Sequence, residues 1–308
     1  MSDPASIDSI FLLGAGGFIG RHLAGRFAQA GIPVIAATRQ PTAFDHPGIR
    51  NVVAPWDDRE QFAQWLPQCR AIVHAASSST PGSSAAKPQL DGNLRTTLAM
   101  IEALQDTPAC RLLFLSSAGT LYGDREAPAR EDDPLRPRSY HGAGKAAAEH
   151  FVHAWATQYG GTAVLLRPSN VYGPGQPARR GFGIIPAAFD CALHGTPLTI
   201  FDGSTVRDYL YIDDFMALCD ATLDAPLDGG AHVFNAAYGE GVSLDTLIDR
   251  IDAVTGRAIE RRYQAARRVD IHTITADTTA ARSTFPWSPA ITLDEGLRRT
   301  WQWFSTQA

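Results

Sequence analysis

The stretch Ile10-Phe11-Leu12-Leu13-Gly14-Ala15-Gly16-Gly17-Phe18-Ile19-Gly20 decides how this chain folds. Its first four residues are a short apolar run, the pattern of a strand buried in a parallel sheet. A glycine-rich turn follows at once, and Arg21 to Ala30 then has helical composition, with Leu23 and Phe27 on one face. Gly14 allows a tight turn, Gly17 lets backbone approach a pyrophosphate, and Gly20 lets the helix pack on the strand. The helix start offers free N–H groups and partial positive charge to phosphates. Strand, turn and helix together, at the head of an α/β chain, point to dinucleotide binding. Gly16, Phe18 and Ile19 lie in the same turn and count as cofactor-binding positions with it.

Moving outward, Val34 to Ala37 reads as a second buried strand. An NAD-selective site places Asp or Glu at the end of this strand to hold the ribose 2′-hydroxyl. Here Thr38 and Arg39 stand there, and an arginine can pair with a 2′-phosphate, so the sequence favours NADP over NAD. Val52 to Ala54 reads as a third strand; Asp57 or Asp58 beyond it can accept a hydrogen bond from adenine or cap a helix. Ala71 to Ala76 is a fourth strand whose small end, Ala75 and Ala76, lets a cofactor pass close to the backbone. His74 reads as a satisfied strand-end histidine. Ser77 to Pro88 is a loop, Asn93 to Leu104 an amphipathic helix, and Arg111 to Ser116 a fifth strand.

This alternation predicts a doubly wound parallel sheet with its ligand crevice at the carboxyl ends of the strands. After Val164-Leu165-Leu166 it breaks into loops rich in Gly, Pro and Arg, Pro168 to Gly183 and Gly203 to Asp208. The expected division is 1–165 for the dinucleotide-binding part and 166–308 for a smaller substrate lobe, with parts returning to the sheet. A terminal helix is expected from about Leu293.

Composition narrows the partners. A net charge of −5 argues against a nucleic-acid ligand, which calls for a basic face. No apolar run is long enough for a membrane span and no signal peptide is visible, so a cytoplasmic protein is expected. Cys69, Cys110, Cys191 and Cys219 are scattered without metal-like spacing, which predicts reduced thiols and no metal site.

Eight blocks then occur in order: GAGGFIG at Gly14, IVHAAS at Ile72, NLRTTLAMIEAL at Asn93, FLSSAGTLYGD at Phe114, HGAGKAAAEH at His141, LRPSNVYGPGQ at Leu166, FDGSTVRDYLYIDD at Phe201 and FNAAYGEGVSL at Phe234. Together they resemble the extended short-chain dehydrogenase/reductase family, and within it the NAD-dependent epimerase/dehydratase group acting on nucleotide sugars. The resemblance spans nearly the whole chain. It implies a Rossmann fold, an NAD or NADP cofactor, a nucleotide-sugar substrate and a homodimer. It also implies epimerisation by hydride transfer through a keto-sugar intermediate. By its positions, Ala75, Ala76, Asn93 and Pro168 flank the cofactor. Lys145 binds the nicotinamide ribose and lowers the pKa of a neighbouring tyrosine. Asn170, Arg207 and Asp208 face the substrate, where arginine suits a diphosphate dianion.

Two departures stand at the chemical centre. The family's catalytic tyrosine lies four residues before the lysine, one helical turn away on the same face. That place is His141, with Tyr140 one residue earlier, rotated by roughly 100° on an ideal helix. Three readings remain open. His141 is itself the acid/base, with activity falling as pH drops through about 6.5; Tyr140 reaches in from a late-starting helix; or catalysis has lapsed and the chain only binds. The second departure is Ala118 at the family's Ser/Thr position, leaving Ser117 and Thr120 as candidates to bond the sugar hydroxyl. Gly119-Thr120 also replaces the Asp-Glu of a dehydratase. An NADPH-dependent keto-sugar reductase is the remaining enzymatic alternative.

Overall fold

A computed structural model describes residues 8–79, 85–178 and 183–307. Parts of two expected loops, residues 80–84 and 179–182, lie outside the described residues. The strands in chain order are β1 Ser9–Leu13, β2 Val34–Thr38, β3 Ile49–Val53, β4 Cys69–His74, β5 Arg111–Leu115 and β6 Thr162–Pro168. They continue with β7 Asn170–Tyr172, β8 Leu198–Phe201, β9 Val206–Tyr211, β10 Gly230–Ala236, β11 Gly241–Ser243, β12 Arg261–Gln264 and β13 Thr273–Ile274.

Seven of them form one parallel sheet in the order β10-β6-β5-β4-β1-β2-β3. The chain leaves β1 toward β2 and β3, then crosses back to β4 on the other side. Such a reversal opens a crevice at the carboxyl ends of β1 and β4. Alternation along β1 shows why the sheet is covered on both faces. Ile10 and Leu12 pack with Leu23, Phe27 and Phe189 on one side. Phe11 and Leu13 pack with Trp56, Phe62 and Trp155 on the other, Phe11 meeting the Trp56 ring edge-on at 5.2 Å.

The rest of the chain does not form a separate run. β10 closes the outer edge of the main sheet in register with β6, Gly230 opposite Thr162 and Ala236 opposite Pro168. The expected boundary after residue 165 thus falls inside β6. β7, β9, β11 and β13 make a small sheet around β9, and β8 pairs with β12. A helix at Leu293–Ser305 ends the chain. No helix among the described residues is long and apolar enough to cross a membrane.

Two helices place the site. The helix Tyr140–Tyr159 starts at Ser139, whose Oγ accepts from the Gly142 N–H at 3.1 Å, and stops at Gly160 in the left-handed conformation. The other helical segment starts earlier than expected. Chain from Lys87 is already helical, passes through a wide π turn at Leu90–Leu94, and continues as α-helix through Arg95–Leu104. Asn93 therefore lies inside the π turn and does not open the helix. Such turns re-aim side chains and cluster at functional sites.

Candidate active site

The glycine turn makes a cradle. Gly14 has φ +86°, and a Cβ there would sit 2.7 Å from the Ala76 backbone. A Cβ on Gly20 would collide with the Gly14 carbonyl. Gly17, by contrast, would place its Cβ 3.4 Å from the Gly14 carbonyl and near nothing else, so its open side faces the crevice. It is also the N-cap of the helix Phe18–Gln29 and has no side chain to bond the first amides. Those amides are left for an anion. The turn opens into a cavity of about 310 Å³ lined by Gly14, Gly16, Gly17, Thr38, Arg39, Trp56, Ala75, Ala76, Ser77 and Ser78 among others. The residues present fit a dinucleotide.

The end of β2 is free of carboxylates. The Thr38 hydroxyl donates to the Gln40 carbonyl at 2.7 Å and accepts from Asn51 Nδ2 at 2.9 Å. Arg39 is exposed and carries the single charge among the described residues lining this cavity. Asp57 is exposed outside the lining set, which reaches only its neighbours Pro55 and Trp56. Trp56 is in the lining: its backbone is left-handed, at φ 61°, and its indole N–H donates to the Thr38 carbonyl at 2.9 Å.

Two further cavities, about 230 and 210 Å³, share Asn170, Arg207, Arg267 and Asp270 in their walls. The larger runs between β7, β8 and β9 past Phe201 and Tyr209. The smaller adds Ser117, Thr120, Arg138 and Ser139. Three arginines face one carboxylate in its lining, a balance that suits a phosphorylated ligand. Arg207 is braced by donating to the carbonyls of Val206, Ile271 and His272. Asn170 Nδ2 donates to the Asp208 carbonyl at 2.9 Å.

Asp208 itself is a correction. It is buried, and its carboxylate accepts from Ser169 Oγ and the Tyr238 and Gly239 amides at 2.7–2.9 Å. Burial pushes it up to about 6 against those bonds. It ties the loop after β10 to β9 and does not face the substrate cavities. Pro168, the last residue of β6, is likewise buried, in register with Ala236.

At the chemical centre the helix begins at Tyr140, so a late, non-helical start that would let this tyrosine reach inward does not occur. Its side chain is 52% exposed. His141 is 7% exposed and sits on the buried face with Lys145. Lys145 Nζ donates to the Leu115 carbonyl at 2.7 Å and lies over the Phe114 ring. Burial lowers its pKa to about 8, and the nearby Glu149 partly opposes the shift. Burial, and then the Lys145 charge, push His141 down to about 4. This corrects the expected inflection near 6.5: the imidazole stays neutral throughout the physiological range.

His141 Nδ1 is 3.0 Å from Ser79 Oγ. Ser79 follows Ser77 and Ser78 of the dinucleotide cavity, while Ser139, two residues before His141, lines the smaller ligand cavity. His141 itself lines neither cavity; it is tied through Ser79 to the loop beside the first, and its helix is capped by a residue lining the second. Ala118 is fully buried, whereas Ser117 and Thr120 both line the ligand cavity. The Thr120 hydroxyl is buried without a partner among the described residues.

Two features escaped sequence reasoning. Ser79 and Gln89 gave no signal, because only the fold brings them to His141. The second is a buried network behind the site. Arg167 Nε and Nη2 grip the Glu149 carboxylate at 2.7–3.3 Å, and Nη1 donates to Tyr122 Oη at 2.7 Å. Tyr122 Oη in turn donates to Asn235 Oδ1 at 2.8 Å. A signal existed here: Arg167 closes an apolar strand run, and a buried arginine requires a counter-charge. The network fixes the helix carrying His141 and Lys145 to β6. His74 is a buried strand-end residue, its Nε2 3.2 Å from Thr97 Oγ1, but it is only half satisfied, since Nδ1 is buried without a partner among the described residues.

Comparison with known proteins agrees with this geometry. The model of the NAD dependent epimerase/dehydratase family matches residues 10–237. UDP-glucose 4-epimerase of Mycolicibacterium smegmatis is 30% identical over 312 residues, covering 96% of this chain and 98% of the relative. The structure of UDP-glucose 4-epimerase from Thermotoga maritima with UDP-glucose superposes with a TM-score of 0.90 at 26% identity, over 97% of this chain and 99% of that one. The Thermus thermophilus UDP-glucose 4-epimerase in complex with NAD gives 0.89 at 26% identity, over 97% and 100%. By sequence, fold and the glycine cradle, this chain belongs to the NAD-dependent epimerase/dehydratase family.

Proposed function

We propose that the protein is a nucleotide-sugar epimerase, with a UDP-sugar as substrate, in which His141 replaces the usual tyrosine as general base. The observation that carries this reading is one juxtaposition. A buried imidazole, with Lys145 one helical turn away, bonds the loop that lines the dinucleotide cradle, and its helix is capped by Ser139 of the arginine-lined cavity. Arg207 and Arg267 hold the diphosphate, and Asn170 lies at the passage between the two ligand cavities. Ser117 and Thr120 receive the reacting sugar hydroxyl. His141 takes its proton as the carbon is oxidised and returns it after the sugar turns over. A bound nicotinamide dinucleotide supplies the hydride acceptor and donor. The positive charge of Lys145 keeps His141 unprotonated between cycles and makes its conjugate acid ready to give the proton back.

The test is turnover of UDP-glucose in D₂O. Internal return of hydride predicts an epimer with no deuterium on carbon and no net change in cofactor. Deuterium at the inverted carbon, or stoichiometric loss of reduced cofactor as in a reductase, contradicts it.

NADP use belongs to the same proposal. Arg39, with no carboxylate among the described lining residues, leaves room and charge for a 2′-phosphate. Arg39→Ala is expected to weaken NADP binding by roughly 10- to 100-fold, the worth of a charge-assisted hydrogen bond, and NAD binding little. Isothermal titration with both dinucleotides measures this; equal losses reject it. A homodimer is also part of the proposal. It is supported by exposed Leu90 and Phe151 on the two helical segments flanking the site. Cytoplasmic action belongs to the proposal too.

A further inference from the structure

We infer that Asn93, Gln89 and Ser79 form a positioning relay that holds His141 in the tautomer with its proton on Nδ1, leaving Nε2 bare as the base. The Ser78 N–H donates to Asn93 Oδ1 at 2.7 Å, and an amide N–H can only donate, so the orientation of the Asn93 amide is fixed. Its Nδ2 must therefore face the two remaining partners, Ser79 Oγ and Gln89 Oε1, both at 2.9 Å. That fixes Gln89 in turn, because its oxygen has to face the Asn93 donor.

Ser79 Oγ then has one proton and two claimants. Gln89 Oε1 lies 2.8 Å away and His141 Nδ1 3.0 Å away. The Gln89 oxygen cannot donate, so a contact of that length requires the Ser79 proton. Ser79 Oγ is left as an acceptor toward His141, which must supply the proton from Nδ1. In the opposite tautomer, Ser79 would spend its proton on His141 and two oxygens would face each other at 2.8 Å without one. Among the described residues, no hydrogen bond engages Nε2.

The packing around the relay is built for it. Gln89 and Asn93 sit at i and i+4 where the π turn begins. Gly144, one turn along from His141, has no side chain because a Cβ would come within 3.2 Å of Gln89 Oε1. Gly92 likewise leaves the place that Ser78 occupies. The tautomer assignment stands on this geometry alone; its catalytic meaning rests on His141 being the base.

The test is ¹⁵N NMR of the full chain labelled at histidine, with the His141 ring signals assigned by their loss in His141→Tyr. The relay predicts a pyrrole-like Nδ1 and a pyridine-like Nε2. Gln89→Met removes the acceptor of the Ser79 proton, frees that proton for Nδ1, and is expected to reverse the tautomer ratio by at least about tenfold. With it, kcat falls by on the order of 10²- to 10⁴-fold with KM nearly unchanged, the cost of a base in the wrong tautomer. Ser79→Thr, which keeps the hydroxyl, is expected to retain the Nδ1–H form. A pyridine-like Nδ1 in the unmodified protein overturns the inference, as does a tautomer ratio that Gln89→Met leaves unmoved. If the ratio reverses and kcat does not fall, the relay stands and the role of His141 as base is what fails.

Discussion

His141→Ala is expected to lower kcat by roughly 10²- to 10⁴-fold, the usual worth of a positioned general base, while substrate KM changes little. The split follows from where the residue sits. His141 lines none of the arginine-rich surface that would hold the diphosphate, so its removal leaves ground-state binding in place. Alanine also fits the helix, and Ser139 still caps it. The pH profile gives a sharper check. His141 must be neutral to accept a proton, so activity is present above its pKa and lost below it, at about 4. In the proposed mechanism Lys145 must be charged to keep the base deprotonated, so activity is lost as pH rises through about 8. A flat plateau between these limbs is expected. In His141→Tyr the base must be an anion, and a phenol ordinarily titrates near about 10, lowered here by Lys145. The acid limb should therefore move upward into the neutral range. Superimposable profiles for the two proteins would show that residue 141 is not the base.

Glu149→Ala is expected to destabilise the fold by about 3–5 kcal/mol and lower Tm by roughly 5–10 °C. The carboxylate and the Arg167 guanidinium are 2% and 6% exposed, so removal of Glu149 strands a buried charge. Replacing both partners, Glu149→Leu with Arg167→Met, should recover most of the loss, because a buried pair exchanged for packed apolar groups is often neutral. Tyr122 Oη keeps its bond to Asn235 in that double variant. Scanning calorimetry of the two variants decides the matter: a double variant no more stable than Glu149→Ala would mean that burial of the ion pair is not what the single change exposes. Because this helix also carries His141 and Lys145, part of the activity lost in Glu149→Ala should return in the double variant.

How much of this was legible in the sequence depends on the range over which each residue acts. Gly14, Gly17 and Gly20 could be read directly, since their roles are local: a left-handed turn, an open approach and a close strand–helix contact. The parallel sheet was legible because its strands are apolar on both faces. Asp208 misled because an acid in a polar-looking block suggests a ligand contact. Only the fold shows the amides of Tyr238 and Gly239, some thirty residues away, closing on it. Asp57 shows the same limit more mildly: it lies exposed beside the cavity lining, next to the left-handed Trp56. The pKa of His141 was beyond reach for the same reason as the relay behind it. The first depends on burial and on the Lys145 charge, the second on Ser79, which is 62 residues distant in the chain.

The most direct measurement is product analysis by NMR, with the unmodified protein and His141→Tyr each given UDP-, dTDP- and GDP-sugars and either NAD or NADP. The histidine mechanism predicts a new epimer from the unmodified protein without net consumption of cofactor. No product from it, with turnover by His141→Tyr on the same sugar, would contradict that mechanism and leave a binding site whose catalysis has lapsed.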